Sequence, residues 1–393
     1  MAPQQPNELT AIEALSRIRA GSLTSQELVA ACLQRIEQRE DTVGAWKFLS
    51  PGQALDAARN ADNDPSDRPL RGIPVAVKDI FDTVDMPTTY GSPLYEGYRP
   101  PSDASCVARM RDAGGLVLGK TVSTEFAYFE PGKTANPHNP AHTPGGSSSG
   151  SAAAVADFMV PLALGSQTVG SILRPASYCG VVGYKPSFGL IDRTGVRPLA
   201  DTFDNVGVFS RSVADAAYLV SILSRRPALC LDGELETPPG IGLCRTHEWP
   251  AADEDVATAL ETAARLAADA GGQVREITLP EPFSRLAEAQ GIVVDFEVAN
   301  SAAYELAFHH DKVSRSFTAR AEAGLAYTIE QYDDALSVIA MAQADLGAAM
   351  DGVDVLLCPS APGQAPEGLS ATGDPIFNRL GTALRAPCVS IPG

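Results

Sequence analysis

Positive charge is scarce in this chain. Its 393 residues carry 30 Lys and Arg against 48 Asp and Glu, a formal net charge of −18. A phosphate backbone is bound through a basic footprint, so this balance excludes a nucleic-acid partner and reads as solubility. Long apolar runs are also missing, and no uncharged stretch reaches the length of a membrane span. The opening MAPQQPNELT has no basic region followed by an apolar one, so no secretory signal is expected. Cysteines are few: Cys32, Cys106, Cys179, Cys230, Cys244, Cys358 and Cys388 are scattered, odd in number and never form C-x-x-C. That spacing speaks against a disulfide frame or a zinc site and for small buried thiols in a reducing compartment. A cytoplasmic protein without metal or cofactor is expected. No fixed-period repeat is present.

What remains is ordinary globular material. The apolar fraction of 45% supports a sizeable core, and the length suits one large domain or two ordinary ones. Asn7 to Arg19 reads as a helix, and Thr24 with Glu27 makes a capping box ahead of LVAACLQRIEQRE. VGAWKFL, the apolar run ending at Lys78, GGLVLGK and GVDVLLCPS read as strands, the last two as buried ones. QALDAARNAD and residues 103–113 read as helices, and EDVATALETAARLAADAGGQVREITL as helix, glycine stop and strand. Helices alternating with short apolar strands indicate an α/β layered fold.

Several motifs match on paper only. GGLVLGKT fits the phosphate-loop pattern, yet Leu116-Val117-Leu118 is itself the strand and lies where a flexible loop is needed. GSSSG at 146–150 fits the G-x-S-x-G elbow with Ser148 central, but TANPHNPAHTP before it holds prolines and no strand. His247, His309 and His310 are available as bases in no telling context. His138 and His142 are four apart, but Asn139-Pro140 between them prevents the helix a zinc pair would use. They read as loop histidines.

TPGGSSSGSAAA at 143–154 is the most unusual stretch. By composition it is a flexible linker. It nevertheless runs straight into SAAAVADFMVPLALG, a helix and then an apolar strand. Gly145, Gly146 and Gly150 free the backbone there, and Ser147, Ser148 and Ser149 crowd hydroxyls into that frame.

Seven segments together resemble the amidase signature family of serine amidohydrolases. They are RGIPVAVKDI, GKTVSTEFAY, NPHNPAHTPGGSSSGSAAAVA, ALGSQTVGSILRPASYCGVVGYKPS, KPSFGLIDRTGV, FDNVGVFSRSVADAA and VDVLLCPSAPG. The resemblance covers most of the chain. It implies a single domain over 1–393 with a signature core about 70–215, built on a large mixed sheet covered by helices on both faces. It also implies an amidase working through a Ser-Ser-Lys triad and an acyl-enzyme. Ser171 would be the nucleophile, Ser147 the bridging serine on a cis peptide bond and Lys78 the base. Backbone N–H groups of Thr168, Val169, Gly170 and Ser171 would form the oxyanion hole.

The resemblance also frames what is open. SILRPASYCG and NPHNPAHTPGGSSSGS look most like the malonamidase and biuret-hydrolase branch, which implies a small-molecule amide substrate, with a homodimer as an option. Arg174, three residues after Ser171, is a candidate for a substrate carboxylate or a structural ion pair beneath the loop. Relatives usually have two glycines before the nucleophile, whereas Val169 takes the first place here. If that position needs positive φ, a β-branched residue is strained and the oxyanion hole altered. The C-terminal end at PCVSIPG reads short for the family. A family member serving as an amidotransferase component and a catalytically impaired binding protein are the alternatives.

Overall fold

The computed structural model describes residues 4–392 apart from Asp232, Glu234 and Glu236. In chain order the described strands are β1 (Trp46–Leu49), β2 (Pro74–Lys78), β3 (Leu116–Thr121), β4 (Leu162–Gln167) and β5 (Val182–Lys185). They continue with β6 (Asn205–Ser210), β7 (Gly240–Leu243), β8 (Gln273–Glu276), β9 (Val355–Leu357) and β10 (Cys388–Ser390). Among the described residues they form a seven-stranded sheet, β1-β3-β2-β4-β6-β5-β10, and a three-stranded one, β8-β7-β9. β2 runs parallel to both β3 and β4. The other pairings of the large sheet are antiparallel, so the sheet is mixed.

Every residue of β2, β4 and β6 is buried. Successive side chains of a strand point to opposite faces, so both faces of the sheet centre are covered. Unbroken apolar runs such as Val75-Ala76-Val77 and Leu162-Ala163-Leu164 fold this way because neither face meets water. One cover is the short helix Ser149–Ala156, packed against β2 and β4. Its small residues permit a very close approach. A Cβ on Gly150 would sit 2.2 Å from Ala45 O and 2.5 Å from Val122 N. The Gly/Ser stretch is therefore the entry to a buried helix, not a linker.

Local signals account for much of the rest. Thr24 and Glu27 form the expected capping box, with Thr24 N donating to Glu27 Oε2 at 2.8 Å and Glu27 N to Thr24 Oγ1 at 3.1 Å. The segment from Asn7 breaks into the 3₁₀ turn Pro6–Glu8 and the helix Ala11–Arg19, because Thr10 makes a second capping box with Glu13. β9 departs from expectation. Val355 is 49% exposed, since β9 is an outer strand of the small sheet. Leu243, Leu260 and Ala264 form a minor apolar cluster where that sheet meets the helix Glu254–Asp269. Among the described residues no helix is long and apolar enough to cross a membrane.

Candidate active site

Lys78 ends β2 with its side chain fully buried. Its Nζ lies 2.7 Å from Ser147 Oγ and 2.8 Å from Ser166 Oγ. Asp79, the next residue, faces the other side of the strand and pairs with Lys120 Nζ at 3.3 Å, while Thr89 N donates to it at 3.0 Å. No carboxylate among the described residues forms an ion pair with Lys78. Burial, above all, pushes the Lys78 ammonium well below the ordinary lysine value, and the more distant Asp204 carboxylate opposes that shift.

Lys120 settles the phosphate-loop match. It sits inside β3, buried, with Nζ donating to Phe81 O at 2.8 Å as well as pairing with Asp79. It therefore lies within the strand, and its ammonium is taken up by the segment that follows β2, through Phe81 O and Thr83 Oγ1, with no glycine loop to wrap a phosphate.

Ser147 is buried and follows a cis Gly146–Ser147 peptide bond. Two contacts hold this segment from outside. Thr124 N donates to Ser147 O at 3.2 Å, and Arg174 Nη2 donates to Gly146 O at 2.6 Å. The other arm of Arg174 donates to Gly373 O at 2.6 Å, and the residue is 2% exposed. The guanidinium, a candidate for either a substrate carboxylate or a structural ion pair, thus gives both arms to main-chain carbonyls beneath the loop. That placement favours a structural role, although its partners are carbonyls and not the expected ion pair. Gly145 is needed for close approach: at φ +81° a Cβ there would lie 2.8 Å from Pro175 Cα.

Ser148, the centre of the elbow match, points into the sheet and donates to Ser166 O at 3.2 Å. The histidines lie elsewhere. His138 Nε2 is 2.9 Å from Cys179 O and His142 Nδ1 is 2.6 Å from Ala365 O. His247 meets Pro280 O, His309 meets Tyr304 Oη and His310 meets Glu322. None touches Lys78, Ser147 or Ser171. Among the described residues no cluster of metal-ligating side chains is present.

Ser171 lies in the turn between β4 and the helix Leu173–Cys179, 8% exposed. Gln167 Oε1 shapes this turn by accepting from Ile172 N at 2.8 Å and Leu173 N at 3.0 Å. Gly170 allows the helix Ile376–Ala383 to abut the turn. A Cβ there would meet Asn378 Oδ1 at 2.5 Å and Pro375 Cβ at 2.7 Å. Among the described residues none accepts from the backbone N–H of Thr168, Val169, Gly170 or Ser171, which leaves four adjacent donors uncommitted. Val169 is not among the residues with positive φ, so the feared strain is absent. Its carbonyl accepts from Thr382 Oγ1 at 2.8 Å.

Two neighbours of the site escaped the sequence reading. Ser166 is the second hydroxyl on Lys78, and only the pairing of β4 beside β2 brings it there. Asp204 accepts from Thr168 Oγ1 and, at 2.8 Å, from Leu199 N, tying the donor turn to the start of β6. Burial raises its carboxyl to about 6, against the hydrogen bonds that favour the anion. Asp204 stands 36 residues beyond Thr168, and the antiparallel β4–β6 register, in which Gln167 faces Asn205, brings the two together.

The same architecture recurs in known proteins. The Amidase family profile matches residues 27–383. A glutamyl-tRNA(Gln) amidotransferase subunit from Acidothermus cellulolyticus is 38% identical over 69% of this chain and 58% of that protein, so the match spans less than two thirds of the relative's length. The protein of the same name from Mycobacterium bovis is 32% identical over 88% of this chain and 81% of its own. A crystal structure of an amidase superposes with a TM-score of 0.89 at 29% identity, covering 98% of this chain and 92% of that one. Both curated relatives carry the amidotransferase name and not that of the malonamidase and biuret-hydrolase branch. With its mixed sheet, its serine-rich entry to a buried helix and a profile match over most of its length, the chain belongs to the amidase family.

Proposed function

We propose that this protein releases ammonia or an amine from a small amide through a serine acyl-enzyme. The observation that carries the reading is Lys78, buried, without an ion-pair partner among the described residues and 2.7 Å from Ser147 Oγ. A serine hydroxyl is a weak nucleophile until a base takes its proton, and lysine serves only when burial keeps it neutral. In the proposed cycle Ser171 Oγ attacks the amide carbon and passes its proton to Ser147. Ser147 hands its own proton to neutral Lys78. The carbonyl oxygen becomes an oxyanion facing the uncommitted N–H groups of residues 168–171. The proton then returns through Ser147 to the nitrogen, the C–N bond breaks, and the amine leaves. Water cleaves the resulting ester by the same relay.

Two fates of that ammonia separate two functions. Loss to water makes the chain an amidohydrolase, the branch suggested by SILRPASYCG. Delivery to an acceptor makes it a component of an amidotransferase. The names of both curated relatives weigh for the second, and partner proteins come with it. Ammonia release from malonamide, biuret and glutamine by the purified chain tests both, with Ser171→Ala as the control. Turnover of malonamide or biuret by the chain alone supports the hydrolase. Turnover of glutamine only, and only with partner proteins added, supports the amidotransferase. Release undiminished in Ser171→Ala would overturn the chemistry common to both.

A further inference from the structure

Arg174 is spent on Gly146 O and Gly373 O, which leaves open what balances the positive charge around the donor turn. Arg379 lies on the helix Ile376–Ala383, immediately after the Asn378 that abuts Gly170. Its guanidinium is half-buried, and among the described residues its one hydrogen bond is a long contact of 3.5 Å from Nη1 to Gln290 Oε1. Gln290 Nε2 in turn donates to Thr168 O at 3.4 Å, so a single side chain separates Arg379 from the donor turn.

The charges facing it do not neutralise it. Asp295 is paired with Arg320 Nη2 at 2.8 Å, and Arg320 Nε also donates to Tyr128 Oη at 2.6 Å. Asp374 is exposed to solvent. Arg320 and Arg174 carry like charge toward Arg379 and do not offset it. Among the described residues no carboxylate forms an ion pair with it. Burial disfavours its charged form, which the Asp374 and Asp295 carboxylates support only from a distance. A guanidinium partly withdrawn from water, with no ion-pair partner among the described residues, has donors free for an anion, and its planar fork fits a carboxylate best.

We propose that Arg379 is a specificity-determining residue that binds a carboxylate of the substrate, so that the favoured substrate is an amide that also carries a carboxylate. This rests on the function proposed above and narrows its substrate class. Arg379 touches no reacting atom and sets which amides stay long enough to react.

Binding can be read without turnover. The full chain carrying Ser171→Ala is titrated calorimetrically with succinamate and with succinamide, which differ in the carboxylate. The same is done after adding Arg379→Gln or Arg379→Lys. Arg379→Gln should weaken succinamate about 30-fold or more and succinamide by less than about threefold, with Arg379→Lys between, as expected for removing one partner of a desolvated charge pair. Equal weakening of both ligands, no change for succinamate, or no succinamate binding by the parent would overturn the proposal. Should Arg379→Gln fail to fold, Arg379→Lys carries the comparison, and misfolding of both would overturn it in favour of a structural residue. Failure here leaves ammonia release unaffected, whereas failure of the function reading appears in that assay alone.

Discussion

At position 78 two physical effects oppose each other. Burial removes water from the ammonium, and the Asp204 carboxylate attracts it, with burial the larger. Catalysis by neutral Lys78 should therefore give a kcat/KM that rises with pH through a group below the ordinary lysine value of about 10.4. Asp204→Asn removes the attraction and should move that limb to lower pH. A shift to higher pH would contradict the assignment. The same residue has a stability signature. Because the folded chain refuses a proton that the unfolded chain accepts, wild type loses stability as pH falls below the unfolded lysine value. Lys78→Met lacks this penalty. Its melting temperature should equal or exceed that of wild type near neutral pH, with the gap widening as pH falls from about 10, while kcat drops about 10²–10⁴-fold. Ser166→Ala removes one of two hydroxyls on Nζ, and about 1–2 kcal/mol translates to roughly tenfold in kcat/KM.

Elements place these residues by approach, and glycines record how near they come. Gly170→Ala would push a methyl into Asn378 and Pro375, which should cost about 1–3 kcal/mol and lower both the melting temperature and kcat. Gly52 offers a contrast, since it lies in the helix Pro51–Asn63 with nothing within 4 Å of its Cβ position. Gly52→Ala should raise stability by about 0.5–1 kcal/mol and leave kcat alone. Calorimetric melting of the two variants checks both. Legibility follows the same division. The capping box at Thr24, the buried runs of β2 and β4, and the helix entered at Ser149 were readable because their causes are local. Ser166 and Asp204 were not, because β4 stands beside β2 on one side and β6 on the other only through long-range pairing. Arg174 was found as a residue, but the direction of its guanidinium depends on Gly373, 199 residues away. The exposure of Val355 likewise depends on which strand ends the small sheet.

For the whole molecule, the mixed sheet sets β2 and β4 side by side in parallel and seats Ser147 against Lys78, 69 residues earlier in the chain. Lys78 closes β2, Ser147 precedes the helix packed on β2 and β4, and Ser171 follows β4. In the proposed cycle these three serve as base, bridging hydroxyl and nucleophile without any histidine, and the mechanism stands on that proposal. Ala substitutions at His247, His309 and His310 should accordingly leave kcat within about twofold, since surface changes are close to neutral. The most direct measurement is covalent labelling of the full chain by a fluorophosphonate, with the adduct located by peptide mass spectrometry. Modification should fall on Ser171 and slow by about 10²-fold or more in Lys78→Met. An adduct on Ser148, or labelling of Ser171 at an unchanged rate in Lys78→Met, would contradict the account.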